Sequence, residues 1–234
     1  MKTIGLLGGM SWESTQTYYR LINEGVKTRL GGLHSAKLVL FSVDFAEIEA
    51  LQHKGDWAET ARILSRAAQS LQNAGAGFLV IGTNTMHKVA PEIEQAIDIP
   101  LLHIADATSR VLAQDGITRV GLLGTRFTME QAFYRNRLEA ADIEVLVPDD
   151  AQRNTVHQVI YEELCQGEIN PLSREAYLDI VASLAERGAQ AVILGCTEIG
   201  LLIRQADTRV PLYDTTEIHA AQAVEQALAG PPYA

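Results

Sequence analysis

Short apolar runs alternate with longer amphipathic stretches along the chain. The apolar runs are residues 3–7, 37–43, 78–81, 100–104, 120–123, 144–147, 191–194 and 210–213. Between them, apolar positions recur at helical spacing over 14–28, 57–74, 91–96, 105–113, 129–140, 154–165, 175–187 and 216–228. A run of four to seven successive apolar residues has no polar face to offer water. Such runs predict strands buried on both sides, the condition of parallel sheets covered by helices. Their alternation with helices predicts an α/β protein.

The chain also repeats itself. Ile4-Gly5-Leu6-Leu7-Gly8 returns as Val120-Gly121-Leu122-Leu123-Gly124, 116 residues later. Residues 70–83, ending Val80-Ile81-Gly82-Thr83, return 113 residues later as 183–196, ending Ile193-Leu194-Gly195-Cys196. Ile99-Pro100-Leu101 returns as Val210-Pro211-Leu212, 111 residues later. βα units share a vocabulary of Gly turns and apolar strands, which accounts for any single match. Three matches in one order with slowly drifting offsets point to a duplicated half. The expected architecture is two pseudo-symmetric lobes, each a parallel sheet flanked by helices. Residues 1–98 plus 210–234 are expected in the first lobe and 99–209 in the second. Ligands of open parallel sheets bind beyond the carboxyl ends of the strands. Thr83 and Cys196 stand at matching positions just past a strand, which makes them candidate opposite walls of one pocket at the lobe interface.

Composition narrows the function. The 234 residues are 47% hydrophobic and 21% charged, ordinary values for a globular protein. Lys and Arg total 19 against 29 Asp and Glu, a formal charge of −10. So acidic a chain has no whole-surface attraction for phosphate polymers or anionic lipid, which argues against nucleic-acid and membrane partners. No run approaches the roughly 18 apolar residues that span a bilayer. The opening ten residues hold one lysine and a short apolar stretch, but glycines interrupt it and no small-residue cleavage site follows. They read as a buried strand entering a Gly turn rather than as a signal peptide. A cytosolic protein is expected. Its two cysteines, Cys165 and Cys196, make neither a disulfide framework nor a Cys-based zinc site. In a reducing compartment a single thiol serves as a reagent. No spacing of His and carboxylates reads as a metal site. The five lysines, none after Lys88, include no obvious Schiff-base position for pyridoxal chemistry. No metal and no cofactor is expected.

Three segments carry candidate chemistry. Gly8-Gly9-Met10-Ser11 follows the first strand and matches neither a dinucleotide fingerprint nor a P-loop. Its backbone N–H groups suit a small carboxylate, or the glycines serve only a tight βα turn. Gly195-Cys196-Thr197-Glu198 sets a thiol after a strand and at an expected helix N-terminus, where the dipole favours thiolate. Thr197 is placed to bond or cap, and Glu198 to accept from an ammonium group. The other reading of Cys196 is a small apolar residue at the end of a core strand, and Cys165 on its helix face reads as packing. Thr83-Asn84-Thr85-Met86-His87 offers two hydroxyls, a carboxamide and an imidazole just past a strand. His87 is either an acid–base group or a loop anchor, while His103 and His219 read as structural. Asp44 and Gln52 either reach a ligand from the end of the second strand or are surface positions. Arg126 and Lys88 are the candidate cations for an anionic side chain.

Taken together, these residues resemble the aspartate/glutamate racemase superfamily, and within it the cofactor-independent amino-acid racemases of the aspartate racemase branch. Residues 192–202, Val-Ile-Leu-Gly-Cys-Thr-Glu-Ile-Gly-Leu-Leu, resemble the family's second cysteine signature without a mismatch. Residues 4–12 resemble its opening strand and turn, and Asn84-Thr85-Met86-His87 the tail of its first signature. The resemblance covers essentially the whole chain. It implies two α/β lobes with an interface site, commonly a homodimer, and a two-base mechanism in which paired cysteines flank the substrate α-carbon. Carried over, Cys196 becomes one acid–base group. Thr197, Glu198, Met10, Asn84, Thr85 and, more weakly, Gln52 become substrate-binding residues. The first signature expects a thiol beside the Asn, and here Gly82-Thr83-Asn84 has none. The repeat reaches the same position independently, because Thr83 is the partner of Cys196.

A Thr hydroxyl is far less acidic than a thiol. The resemblance therefore implies a racemase of aspartate or glutamate that works asymmetrically between enantiomers. Two other readings stand beside it: a decarboxylase or isomerase of a small dicarboxylate on the same fold, and an amino-acid-binding protein without turnover.

Overall fold

The computed structural model describes residues 1–229. Its first part runs β1 (Ile4–Gly8), α1 (Trp12–Leu30), β2 (Leu38–Ser42), α2 (Phe45–Lys54), α3 (Trp57–Asn73), β3 (Phe78–Ile81), α4 (Ala90–Gln95) and β4 (Leu101–Leu102). Then follow α5 (Ile104–Gln114), β5 (Arg119–Gly124), α6 (Arg126–Glu130), α7 (Ala132–Glu139), β6 (Glu144–Leu146), α8 (Asp150–Glu162), α9 (Pro171–Glu186), β7 (Ala191–Gly195), α10 (Ile199–Leu202), β8 (Leu212–Asp214) and α11 (Thr215–Leu228). All strand pairs are parallel, in two four-stranded sheets of order β2-β1-β3-β4 and β6-β5-β7-β8. The second order is the first with every strand number raised by four, as a duplicated half requires.

Among the described residues, the chain divides into one compact unit of 1–104 with 219–229, and a second of 105–218. These bounds differ from the expected lobes for a simple reason. Leu79 and Val80 of β3 pair with Leu101 and Leu102, which keeps the run at 100–104 in the first sheet. Val192–Leu194 pair with Leu212–Asp214, which keeps the run at 210–213 in the second. Residues 230–234 of the expected first lobe lie outside the described residues.

Pleat alternation builds the first core on both faces of its sheet. Ile4 and Leu6 of β1 lie beside Phe78 and Val80 of β3, packed with Tyr18, Ile22 and Val26 of α1 and with Ala220, Ala223 and Val224 of α11. Leu7 and Ile81 face the other way, into Ile48 of α2 and Ala61, Leu64, Ala68 and Leu71 of α3. The spacing of those α3 residues is the stripe of an amphipathic helix. Its ends are chemical: the Asp56 side chain accepts from the Glu59 amide, and Gly75 past the C-cap takes φ +92°. The second unit packs Leu123, Val192 and Leu194 against Val156, Ile160, Tyr177, Val181 and Leu184.

Two helical expectations change. Residues 129–140 are not one helix, because extended Gln131 (ψ 148°) separates α6 from α7. α2 has no counterpart in the apolar pattern; Asp44 starts it by accepting from the Ala46 amide, so the carboxylate held as a possible ligand group is a helix cap. Among the described residues, no helix is long and apolar enough to cross a membrane.

Candidate functional site

In the first unit the site residues gather at the carboxyl ends of β1 and β3. The Gly82 amide continues the sheet by donating to the Leu7 carbonyl at 2.8 Å, after which the chain turns into a 3₁₀ segment, Thr85–Val89. Ser14 donates its hydroxyl to the Gly82 carbonyl at 3.0 Å, and His87 Nδ1 lies 2.8 Å from the Thr83 carbonyl. Thr83 is half-buried, and Asn84 and Thr85 are buried. Met10 is buried in one apolar cluster with Met86 and Ile48, against which Trp57 packs, and Gln52 of α2 is 2% exposed. The structure thus brings Met10, Thr83, Asn84, Thr85 and Gln52 into one unit on its strand-end loops and α2.

The Gly-rich turn resolves toward its structural reading. Gly9 has φ +91° and its amide donates to Thr15 Oγ1 at 2.7 Å, so that N–H is committed within the turn. A Cβ at Gly9 would strike the backbone of Val43.

Two buried histidines of the unit, His87 and His219, serve the backbone. His87 accepts from the Ile104 amide at 3.2 Å through Nε2, which leaves Nδ1 to donate to Thr83. Burial, and then the neighbouring His103 and His219, hold its pKa well below the ordinary imidazole value. His219 Nε2 donates to the Leu102 carbonyl at 2.8 Å, and its Nδ1 accepts from the Tyr18 hydroxyl at 2.8 Å. Burial lowers its pKa to about 4. His87 is therefore the loop anchor of the two readings, neutral and with both nitrogens spent.

In the second unit, Cys196 directly follows β7. Its thiol donates to Glu198 Oε2 at 3.0 Å, and the Thr197 hydroxyl donates to the same oxygen at 2.5 Å. Glu198 is 5% exposed and Cys196 9%. The expectation of a thiolate favoured by a helix terminus is overturned. α10 is a single turn that starts three residues later, at Ile199. Burial, and then the Glu198 carboxylate, push the thiol pKa well above its ordinary value. The resting site is a neutral thiol bonded to a buried carboxylate, which is an acceptor for its proton. Cys165 packs at the edge of the same apolar cluster, as its packing reading expects.

Sequence reasoning passed over Asp214, at the end of β8. Its carboxylate accepts from the Thr216 amide at 2.8 Å and the Glu217 amide at 3.2 Å, and it fills the space that Gly200 of α10 leaves free. Burial raises its pKa to about 6. The repeat held the signal, since the offset of 111 residues sets Asp214 against His103. The candidate cations separate. Arg126 is half exposed and engaged by Asn154 and Glu130, whereas Lys88 Nζ sits 3.9 Å from the centroid of the Trp57 ring.

Two parallel α/β sheets of one strand order, with polar loops at matching strand ends and a buried thiol–carboxylate pair on one of them, define an enzyme of the Asp/Glu racemase class. The profile of the Asp/Glu/Hydantoin racemase family matches residues 7–223, and the chain belongs to that family, whose reaction is an isomerisation. It is 58% identical to a Yersinia pestis protein solved as a candidate Asp/Glu racemase, with a TM-score of 0.92 over 97% of this chain and 100% of that one. It is 34% identical to an aspartate racemase homologue from Pyrococcus horikoshii, with a TM-score of 0.85 over 97% and 99%. A broad specificity amino-acid racemase of Bacillus subtilis is 24% identical over 97% of this chain and 98% of its own.

Proposed function

We propose that the protein racemises an amino acid, aspartate or glutamate first, without a cofactor, by removing and returning the α-proton. Cys196 and Thr83 act on opposite faces of the α-carbon. Met10, Gln52, Asn84, Thr85, Thr197 and Glu198 hold the substrate, in a cytosolic homodimer. The observation that carries this reading is the hydrogen bond from the Cys196 thiol to Glu198. A thiol that must become a base needs an acceptor for its own proton, and Glu198 is one, already in contact.

The charge balance then has a direction. In the resting site the Glu198 carboxylate opposes thiolate formation. An incoming α-ammonium group offsets the single negative charge that the pair carries after the proton has moved to Glu198, so thiolate becomes favourable when substrate is present. The thiolate takes the α-proton, and the carbanion takes a proton from the Thr83 hydroxyl on the other face. Water then restores that hydroxyl. In the reverse direction Thr83 must act as the base, and each pKa unit separating hydroxyl from thiol weakens proton transfer by about 1.4 kcal/mol. α-Hydrogen exchange is therefore asymmetric, with Cys196 deprotonating one enantiomer preferentially.

The test is α-hydrogen exchange in D₂O, followed by NMR for each enantiomer of a panel of amino acids. Exchange from one enantiomer well ahead of the other is expected. Equal fast exchange from both refutes the asymmetry, and no exchange from any amino acid refutes the chemistry.

A further inference from the structure

His87 links two backbone points that lie far apart in sequence. Its Nδ1–H donates to the Thr83 carbonyl at 2.8 Å and its Nε2 accepts from the Ile104 amide at 3.2 Å. The two bonds fix the tautomer, because the backbone offers an acceptor on one side and a donor on the other. The ring is 1% exposed, with the His103 centroid 4.4 Å away and that of His219 5.8 Å away. Ile104 is the residue at which the chain leaves the first unit, and His219 is the residue at which it returns. The Thr83 loop is thus tied, through one neutral ring, to the exit point of its own unit. The preceding carbonyl, Gly82, is held separately by Ser14.

We propose that His87 is a positioning residue for the reaction: by bridging the Thr83 carbonyl to the Ile104 amide it sets the backbone from which the Thr83 hydroxyl exchanges its proton with substrate. The inference rests on the reading of Thr83 as the proton donor. The Thr hydroxyl lies one rotatable bond from its Cα, so the placement of that backbone decides where Oγ1 sits. An error of about 1 Å in a reacting group costs on the order of 10²-fold in rate. Nothing in the proposal asks the imidazole to move a proton to substrate, since both nitrogens are committed. A proton added at Nε2 would set two donors face to face at Ile104, so the bridge belongs to the neutral ring alone. The titratable groups surrounding it, His103 and His219, both disfavour that proton.

The experiment compares His87→Asn, His87→Gln and His87→Ala. An Asn amide reaches the position of Nδ1 and keeps a donor for Thr83, while Gln reaches toward Nε2 and Ala reaches neither. Racemisation needs Thr83, whereas exchange of the α-hydrogen through Cys196 alone does not, so the two are measured side by side. The Gln and Ala variants are expected to lose at least tenfold in racemisation kcat with KM changed less than twofold, while Cys196-dependent exchange continues. The Asn variant is expected to stay within about threefold of the parent. Equal loss of racemisation and exchange in all three variants, or no loss in any, overturns the proposal. Hydrogen–deuterium exchange of the backbone supplies the second measurement. Faster exchange around 83–86 in the Gln and Ala variants, but not in Asn, supports the bridge, and unchanged exchange refutes it. If the parent protein exchanges no amino acid at all, the functional reading fails while this backbone comparison still decides the bridge.

Discussion

The Cys196 thiol donates to Glu198 Oε2 at 3.0 Å, with the Thr197 hydroxyl bonded to the same oxygen. After burial, the Glu198 charge is the largest cause of the raised thiol pKa. Glu198→Gln removes that charge and also removes the group able to receive the proton. Two opposite effects are expected. Alkylation of Cys196 by iodoacetamide should shift to lower pH, and turnover should fall by about 10²-fold, the usual contribution of an acid–base group. A variant with unchanged turnover would show that the pair is only structural.

Placing a thiol at residue 83 is the sharpest check on the repeat. Thr83→Cys supplies a far more acidic group at the position that the 113-residue offset matches to Cys196. Racemisation from either enantiomer is expected to rise about tenfold or more, read by chiral chromatography. A folded variant that gains nothing would place residues 83 and 196 at unrelated sites.

Asp214 makes the second unit sensitive to base. Its pKa is raised by burial from 3.8 to about 6. A raised acid contributes stability below its unfolded value, and that contribution is lost as pH climbs through about 6. The loss amounts to about 3 kcal/mol at neutral pH. Asp214→Asn keeps an oxygen for the Thr216 and Glu217 amides without the charge. Urea unfolding between pH 4 and 8 should show the parent weakening across this window and the variant nearly flat and more stable at pH 7. A pH profile shared by both would contradict the assignment.

His87 and His219 of the first unit act in the opposite sense. His219 has its pKa lowered from 6.5 to about 4 by burial, and a lowered base contributes stability above its unfolded value. That contribution is lost as pH falls from about 6.5 toward 4. Tyr18→Phe removes the hydroxyl that donates to its Nδ1 and leaves a buried acceptor unpaired, a cost of about 1–3 kcal/mol. Chemical denaturation at pH 7.5 should register that loss, and an unchanged midpoint would refute the bond's contribution.

Much of this architecture was legible in the residues because parallel strands announce themselves. Each of the eight apolar runs contains or overlaps a strand, and the Gly82-Thr83 to Gly195-Cys196 repeat located both polar loops. What escaped the pattern has physical reasons. α2 buries only Ile48 and Gln52, too little apolar surface to give a helical period, and its start depends on Asp44 serving as a cap. The lobe bounds were misplaced because β4 and β8 are two and three residues long, and strand pairing rather than composition decides which sheet takes them. The thiol's acidity was misjudged because Cys196-Thr197-Glu198 shows a neighbouring carboxylate but neither its burial nor the direction of its bond. His87 was open between two roles until Ile104, 17 residues away, claimed its second nitrogen.

The first unit joins residues 1–104 to residues 219–229, more than a hundred positions later. Ala220, Ala223, Val224 and Ala227 complete its core, and the Ala227 carbonyl receives the Lys2 amide at 2.8 Å. During synthesis at about 5–20 residues per second, the opening hundred residues must therefore wait on the order of ten seconds for their missing wall. The intervening 105–218 segment has all of its strands available sooner. A chain cut short before residue 220 would leave Ile4, Phe78 and Val80 without Ala220, Ala223 and Val224 against them, apolar surface open to chaperones and proteases.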